Sequence, residues 1–270
     1  MFDYLCEKIR DAPVSRVPFP HIVIERFLSP MDLGKILGDQ QIHFPPQNGE
    51  NDLYRVLQKK NWKIQPFPDC VSNWEDYITD SLFDESGFTF KLNTVRNKFI
   101  KDLMVFLNGP VFKKCLEDKF NIIKKTVITS SIQKNLSGYE ISPNTDTRSK
   151  ALTYVLNINK YDGFEDTTQH THLLELKDER KYLEDLWTKN PELERFCVPW
   201  DWCDKVTQIT HNNTMLLFQP QSQPASLYGV KLNYNHFFQQ RTQIYGNLMY
   251  KTPPKKIHRS NWRAHSMGKL

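Results

Sequence analysis

The chain has 270 residues, 39% hydrophobic and 13% aromatic, which is enough apolar material for one large domain with a Phe- and Tyr-rich core, or for two small ones. It contains no run of about 18 apolar residues, and its opening Met1-Phe2-Asp3-Tyr4-Leu5 lacks the basic region and apolar stretch of a secretion signal; both a membrane span and secretion are argued against. The net charge of +5 is uneven: beyond Asp204 there is no Asp or Glu, while Lys205, Lys231, Arg241, Lys251, Lys255, Lys256, Arg259, Arg263 and Lys269 accumulate, as either a solvated basic face or a surface for an anionic ligand.

Residues 1–12 read as a short amphipathic helix with Leu5 and Ile9 on one side, and Phe19 to Ile24 as an opening strand. Ser29-Pro30-Met31-Asp32 has the form of a capping box with proline at the first helical position, opening a helix that ends near Leu37. Residues 39–90 are polar with scattered Pro, Gly and Trp and read as long loops with a few short elements. Val95, Phe99, Leu103 and Phe106 fall at helical spacing within 93–107, Gly109-Pro110 breaks that helix, and a second runs from Pro110 to about Phe120.

From Thr126 the pattern turns to strands. Thr126 to Thr129 is β-branched, and the nearly continuous apolar run Ala151 to Ile158 suits a strand buried on both faces. Asp178 to Lys189 interrupts with a charged helix that reads as an insertion. Met215–Phe218, Ser226–Val230 and Thr242–Tyr245 follow as short strands. Helices first and many short strands after them indicate an α+β protein, with helices packed on a sandwich or jelly roll. Residues 1–250 are expected to form that domain, and 251–270, with two prolines and no apolar periodicity, a basic tail that orders only on a partner.

Five cysteines (Cys6, Cys70, Cys115, Cys197 and Cys203) include no CxxC pair. A reduced, cytoplasmic setting is the simplest reading, and structural zinc is argued against. There is no Walker loop, Rossmann glycine pattern or serine nucleophile elbow. Cys203 has no base partner in sequence, so a nucleophilic role is not expected.

The most informative segment is Gly138-Tyr139-Glu140-Ile141-Ser142-Pro143-Asn144-Thr145-Asp146. It resembles the metal-binding strand of the iron(II)/2-oxoglutarate oxygenases of the prolyl-4-hydroxylase type, whose pattern is Gly-Tyr-x-x-x-Pro-His-x-Asp. Downstream, Tyr228-Gly229-Val230-Lys231 and Gln240-Arg241-Thr242-Gln243 are similar to that family's His-Ala-Val-Lys and Gln-Arg-Thr-Gln. Pro18-Phe19-Pro20-His21-Ile22-Val23-Ile24 and Val198-Pro199-Trp200-Asp201-Trp202-Cys203 extend the likeness, which is strongest with compact members carried by tailed phages of marine bacteria. The resemblance implies a double-stranded β-helix (jelly roll) with N-terminal helices packed on the sheet.

It also implies a set of site residues. Asp146 stands at the metal-binding carboxylate, and Asn144 and Tyr228 stand where the two histidines belong. Arg241 matches the base that clamps the distal carboxylate of 2-oxoglutarate by two parallel hydrogen bonds; its structural alternative is a scaffold ion pair. Tyr139 and Thr153 fall where pocket-lining side chains belong. The tryptophans of 198–203 are expected to pack over the sheet, with a substrate lid as the alternative.

The usual centre needs two neutral imidazoles and a carboxylate on one face of iron. Asn144 and Asp146, two apart, would share a face if both lay on a strand, but a carboxamide is a weak donor. A phenol with pKa near 10 binds iron(II) poorly. His170, His172, His211 and His236 are the nearby imidazoles that would have to rescue the site. The expected product is a degenerate oxygenase-fold protein with no cofactor, acting as a structural or binding module with a protein partner. Its basic C-terminal region would meet an anionic partner, and its place would be the cytoplasm or, in a phage, a virion assembly. The alternative is an active hydroxylase holding iron(II) through Asp146 and 2-oxoglutarate through Arg241. A third reading is a nucleic-acid-binding protein.

Overall fold

The computed structural model describes residues 2–65, 85–86, 89–136, 138–160, 171–191, 195, 197–220, 222–232, 235–238 and 240–252. The expected tail beyond Thr252, together with His170 and Cys70, lies outside them.

The N-terminal part contains α1 (Asp3–Asp11), β1 (His21–Ile24), α2 (Pro30–Leu37), α3 (Glu50–Lys59), β2 (Trp62–Gln65), β3 (Glu85–Ser86), β4 (Thr89–Leu92), α4 (Lys98–Leu107) and α5 (Pro110–Lys119). Ser29 caps α2, its Oγ accepting from Asp32 N at 3.1 Å. The reciprocal half of the box is absent, because the Asp32 carboxylate instead takes Tyr4 Oη (2.9 Å) and Lys35 Nζ (3.2 Å). Asn97 caps α4 through Phe99 N and Ile100 N, which leaves Val95 outside the helix. The fully buried positions of α4 are therefore Ile100, Leu103 and Leu107. Phe99 and Phe106 sit on its flank, each 5.6 Å from the Phe2 ring.

The reading of 39–90 as long loops with a few short elements left those elements unplaced, and α3 is the longest of them among the described residues. Its only buried side chains are Leu53 and Leu57, one i,i+4 pair among polar neighbours. Gly49 precedes it without a capping side chain, so the usual start signal is missing.

From Thr126 the chain builds β5 (Thr126–Asn135), β6 (Glu140–Asn144), β7 (Lys150–Asn157), β8 (Thr171–Leu176), α6 (Tyr182–Lys189), β9 (Cys203–Ile209), β10 (Met215–Phe218), β11 (Leu227–Lys231) and β12 (Arg241–Tyr250). These strands fall into two antiparallel sheets. A seven-stranded sheet has the order β1-β10-β7-β12-β5-β4-β2, and a five-stranded sheet the order β3-β6-β11-β8-β9. Between β5 and β12 the chain passes back and forth between the sheets, with only β8 and β9 consecutive in one of them. That winding, with β5-β12-β7-β10 facing β6-β11-β8-β9, is a double-stranded β-helix, and the fold is α+β.

Alternation along the central strands assigns their two faces. Leu152, Tyr154 and Leu156 of β7 and Ile244 and Leu248 of β12 join the helices α1 to α5 in one apolar cluster. The opposite faces, with Thr153 and Asn157 on β7 and Arg241, Gln243 and Asn247 on β12, turn into the barrel and are also buried. β7 is thus buried along its whole length, as its apolar run implied. Cys6, Cys115, Cys197 and Cys203 are free thiols. No helix among the described residues is long and apolar enough to cross a membrane.

Two packing details lead to measurements. A Cβ built on Gly246 would stand 2.1 Å from Cζ of Tyr154, whose ring crosses β12 at that point. Gly246→Ala is expected to cost about 1–3 kcal/mol as an overpacking change, read as a lower urea midpoint at unchanged m-value. Lys134 is buried, with Nζ 2.8 Å from Thr242 Oγ1 and 5.1 and 5.3 Å from the rings of Trp62 and Phe44. Burial pushes its pKa down to about 7, below the value of about 10.4 in an unfolded chain. Between those values the unfolded chain binds more protons, so stability rises with pH from about 7 toward 10. Lys134→Met is expected to flatten that rise in urea titrations at several pH values.

Candidate metal and cosubstrate site

β6 ends at Asn144, and Asp146 lies beyond it with a φ of 59°. The strand argument that put their side chains on one face is therefore corrected: the chain leaves β geometry between them. Asn144 makes an Asx-turn, its Oδ1 accepting from Asp146 N at 2.8 Å, which favours the left-handed conformation locally. Its Nδ2 donates to Ser142 O (2.8 Å) and Tyr228 O (3.3 Å). Both ends of the amide hold backbone.

The loop that follows is polar yet almost wholly enclosed, residues 144–150 being between 0 and 9% exposed. Burial at that level forces each polar group to find a partner. Asp146 Oδ1 receives Lys150 Nζ at 2.7 Å and Thr147 N at 2.8 Å, and Oδ2 receives Thr153 Oγ1 at 2.8 Å. Thr153 is shared with Asn247 Oδ1 at 3.0 Å, and Lys150 Nζ also donates to Tyr245 Oη at 3.0 Å. Thr147 and Ser149 hydroxyls pair at 3.0 Å. The guanidinium of Arg148 lies 3.5 Å over the Trp187 ring and donates to the Trp187 and Asn190 carbonyls. The expected insertion helix α6 is thereby docked on the loop that carries Asp146.

The electrostatics follow from this closure. Burial alone would raise the Asp146 pKa, but the Lys150 charge and the hydrogen bonds from Lys150, Thr147 and Thr153 outweigh it and hold the carboxyl below its ordinary value. Burial would likewise lower Lys150, and Asp146 with Tyr245 raises it instead. The two groups form a charged pair. Tyr228 is pushed well above 10, first by burial and then by the nearby Asp146 charge. It stays a neutral phenol, 7% exposed and packed on Phe218 with ring centroids 5.0 Å apart.

Iron(II) does not fit this donor set. The carboxylate already has a cation, the amide is committed to the turn, and the phenol is held protonated. Among the described residues no group of three His, Cys, Asp or Glu is arranged to hold a metal ion. His172 lies against Trp200, centroids 5.6 Å apart, on the outer face of the small sheet. His211 contributes its carbonyl to Asn157, and His236 stacks on Phe237 at 4.2 Å.

The other expected site residues are placed as follows. Arg241 opens β12, 2% exposed, and reaches across the barrel to donate to Thr171 Oγ1 on β8 at 2.7 Å. It shares the inner face of β12 with Gln243, Tyr245 and Asn247, about 13 Å along the strand from Tyr245. Thr153 serves the Asp146 carboxylate directly. Tyr139 is buried in a small apolar cluster with Val230 and Leu232. Trp200 packs over the small sheet: a Cβ at Gly229 would meet it at 2.6 Å, and its Nε1 donates to Glu140 at 2.6 Å. Lys150, Tyr245, Asn247 and the Arg148–Trp187 contact were not anticipated. The one signal in the sequence was a lysine opening an otherwise apolar strand.

No protein-family model matches the chain, and no curated protein matches it. Among solved structures it is similar to a prolyl hydroxylase from Trichoplax adhaerens in complex with a hypoxia inducible factor oxygen degradation domain peptide fragment (TM-score 0.47, 12% identity, 93% of this chain and 91% of that one). A Pseudomonas putida prolyl-4-hydroxylase gives TM-score 0.47 and 8% identity over 93% of this chain and 100% of the other. The non-heme alpha ketoglutarate dependent carbocyclase SnoK from nogalamycin biosynthesis gives 0.45 and 10% over 99% and 90%. The fold assignment itself rests on the strand order.

The buried pair generates a double-mutant cycle. The Asp146 contribution is present above about pH 3.9 and is lost as pH falls through its depressed folded value. That of Lys150 is present below about pH 10.4 and is lost as pH rises through its raised value. At pH 7, Asp146→Asn and Lys150→Met are each expected to cost about 3–5 kcal/mol, by leaving one buried charge unpaired. The double variant should recover most of that loss in urea unfolding.

Proposed function

We propose that this chain is a catalytically degenerate member of the iron(II)/2-oxoglutarate oxygenases, retained as a structural or binding module. The observation that carries the reading is the occupation of the Asp146 carboxylate by Lys150. An ammonium four residues away supplies the positive charge that a metal would otherwise bring, and it brings no coordination positions for a cosubstrate or oxygen. The neutral, packed Tyr228 and the turn-forming Asn144 support the same reading.

In this account residues 1–250 are one oxygenase-like domain and 251–270 a basic extension. The domain works by presenting its surface to a protein partner. In the phage setting implied by the sequence resemblance, that partner is part of a virion assembly, and the protein is otherwise cytoplasmic. Arg241 then serves the scaffold by tying β12 to β8 across the barrel.

Anaerobic titration with iron(II) and 2-oxoglutarate tests this. The native chain is expected to show no metal-to-ligand charge-transfer band and to turn over no 2-oxoglutarate to succinate. Asn144→His with Tyr228→His alone should not restore the band, because Lys150 still holds the carboxylate. Adding Lys150→Ala to that pair should allow it. A band in the native chain, or stoichiometric succinate, would overturn the proposal in favour of an active hydroxylase.

A further inference from the structure

On the surface, where β5 begins and β12 ends, a cleft of about 510 Å³ is lined by the end of α5, the connector into β5, the first residue of β5, and Lys251 just after β12. Asn121, with a φ of 52°, ends the helix: Ile122 N turns back to Glu117 O at 2.8 Å, which sends residues 123–125 along the cleft wall. Lys251 N donates to Lys125 O at 3.0 Å, so the backbone holds these two lysines side by side. Lys124 joins them with its Nζ 5.6 Å from the Tyr250 ring.

The charge here is one-sided. The two carboxylates on the wall are already paired along α5, Glu117 with Lys113 and Asp118 with Lys114, each at 2.5 Å. Glu117 also takes the Thr126 hydroxyl at 2.7 Å. Lys124, Lys125 and Lys251 are exposed and have no acidic partner within ion-pair distance among the described residues. From Lys251 the sequence runs on to Lys255, Lys256, Arg259, Arg263 and Lys269 without one Asp or Glu.

We propose that this cleft seats the phosphodiester backbone of a nucleic acid, with Lys124, Lys125 and Lys251 each neutralising a phosphate. The chemistry of the wall selects that occupant. Protein interfaces are anchored by buried aromatic and arginine side chains and are depleted in lysine at their centre. Here the apolar lining is limited to Ile122 and Ile123, and the cations are all lysines, which bind phosphate as point charges. Tyr250, already beneath Lys124, offers no open platform for stacking bases. Binding is therefore to the backbone and independent of sequence. The proposal adds a partner to the module reading without depending on it, since none of the three lysines takes part in the hydrogen bonds that hold the Asp146 carboxylate.

Fluorescence anisotropy of the full chain with a labelled duplex of arbitrary sequence, over a range of salt, tests it. The native chain should bind, and two unrelated sequences should bind alike. The triple variant Lys124→Glu, Lys125→Glu, Lys251→Glu should lose more than tenfold in affinity. Removing three phosphate contacts should make the log–log salt slope shallower by about 2 to 3. Lys→Gln at the same three positions should reproduce the change in slope, with thermal melting confirming that the fold is intact. A matched reversal elsewhere (Lys59→Glu, Lys63→Glu, Lys91→Glu) should retain the native slope. An unchanged slope in the cleft variants would overturn the assignment. So would a native chain that ignores the duplex but binds acidic vesicles or an acidic peptide.

Discussion

A carboxylate that stays ionised inside a protein needs a counter-charge or hydrogen-bond donors around it, and in this chain Asp146 is met by Lys150 at 2.7 Å. Much of the barrel interior is organised around that fact. Lys150 is the first residue of β7, Thr153 is the next inward side chain to reach the carboxylate, and Tyr245 and Asn247 approach from β12. The loop between β6 and β7 is then closed from above by Arg148 stacked on Trp187 of α6. An unpaired charge at this depth costs several kcal/mol, comparable to the whole stability of many domains. The site residues therefore carry a structural duty whether or not they carry a chemical one.

The two residues at the positions that the sequence resemblance assigns to histidines each have a task in the interior. The Asn144 amide fixes the turn that presents Asp146, and the Tyr228 ring fills space against Phe218. The flanking residues set the strand register, with Tyr228 opposite Asn144 and Leu173. They hold the fold irrespective of any ligand.

Much of the architecture was legible in the sequence wherever a single local rule governed. Ser29 starts a helix by capping, Gly109-Pro110 separates two others, and the run in β7 is apolar because both of its faces are buried; the Asn97 cap, which starts α4 after Val95, was missed. The failures among the strands share a cause in the polar barrel interior. β5 and β12 extend well past the segments read as strand because Gln133, Asn135, Gln243 and Asn247 face inward, and inward polar residues erase the expected alternation. In the site, the pattern named Asn144, Asp146 and Tyr228, and the fold does set them next to one another. The counter-ion could not be read from it, since a spacing of four residues has a fixed spatial meaning only on a helix. The docking of α6 on Arg148 joins segments 39 residues apart and has no local signature.

The place of β12 in the large sheet has a bearing on how the protein folds. It lies between β5 and β7, so that β5-β4-β2 on one side and β7-β10-β1 on the other meet only through it. Its partners sit about a hundred residues earlier, as in the Lys134–Thr242 contact. Without β12 the two half-sheets present raw edges to one another, and its pairings join residues far apart in sequence, a topology of high contact order. β12 is the keystone of the large sheet: neither half meets the other without it.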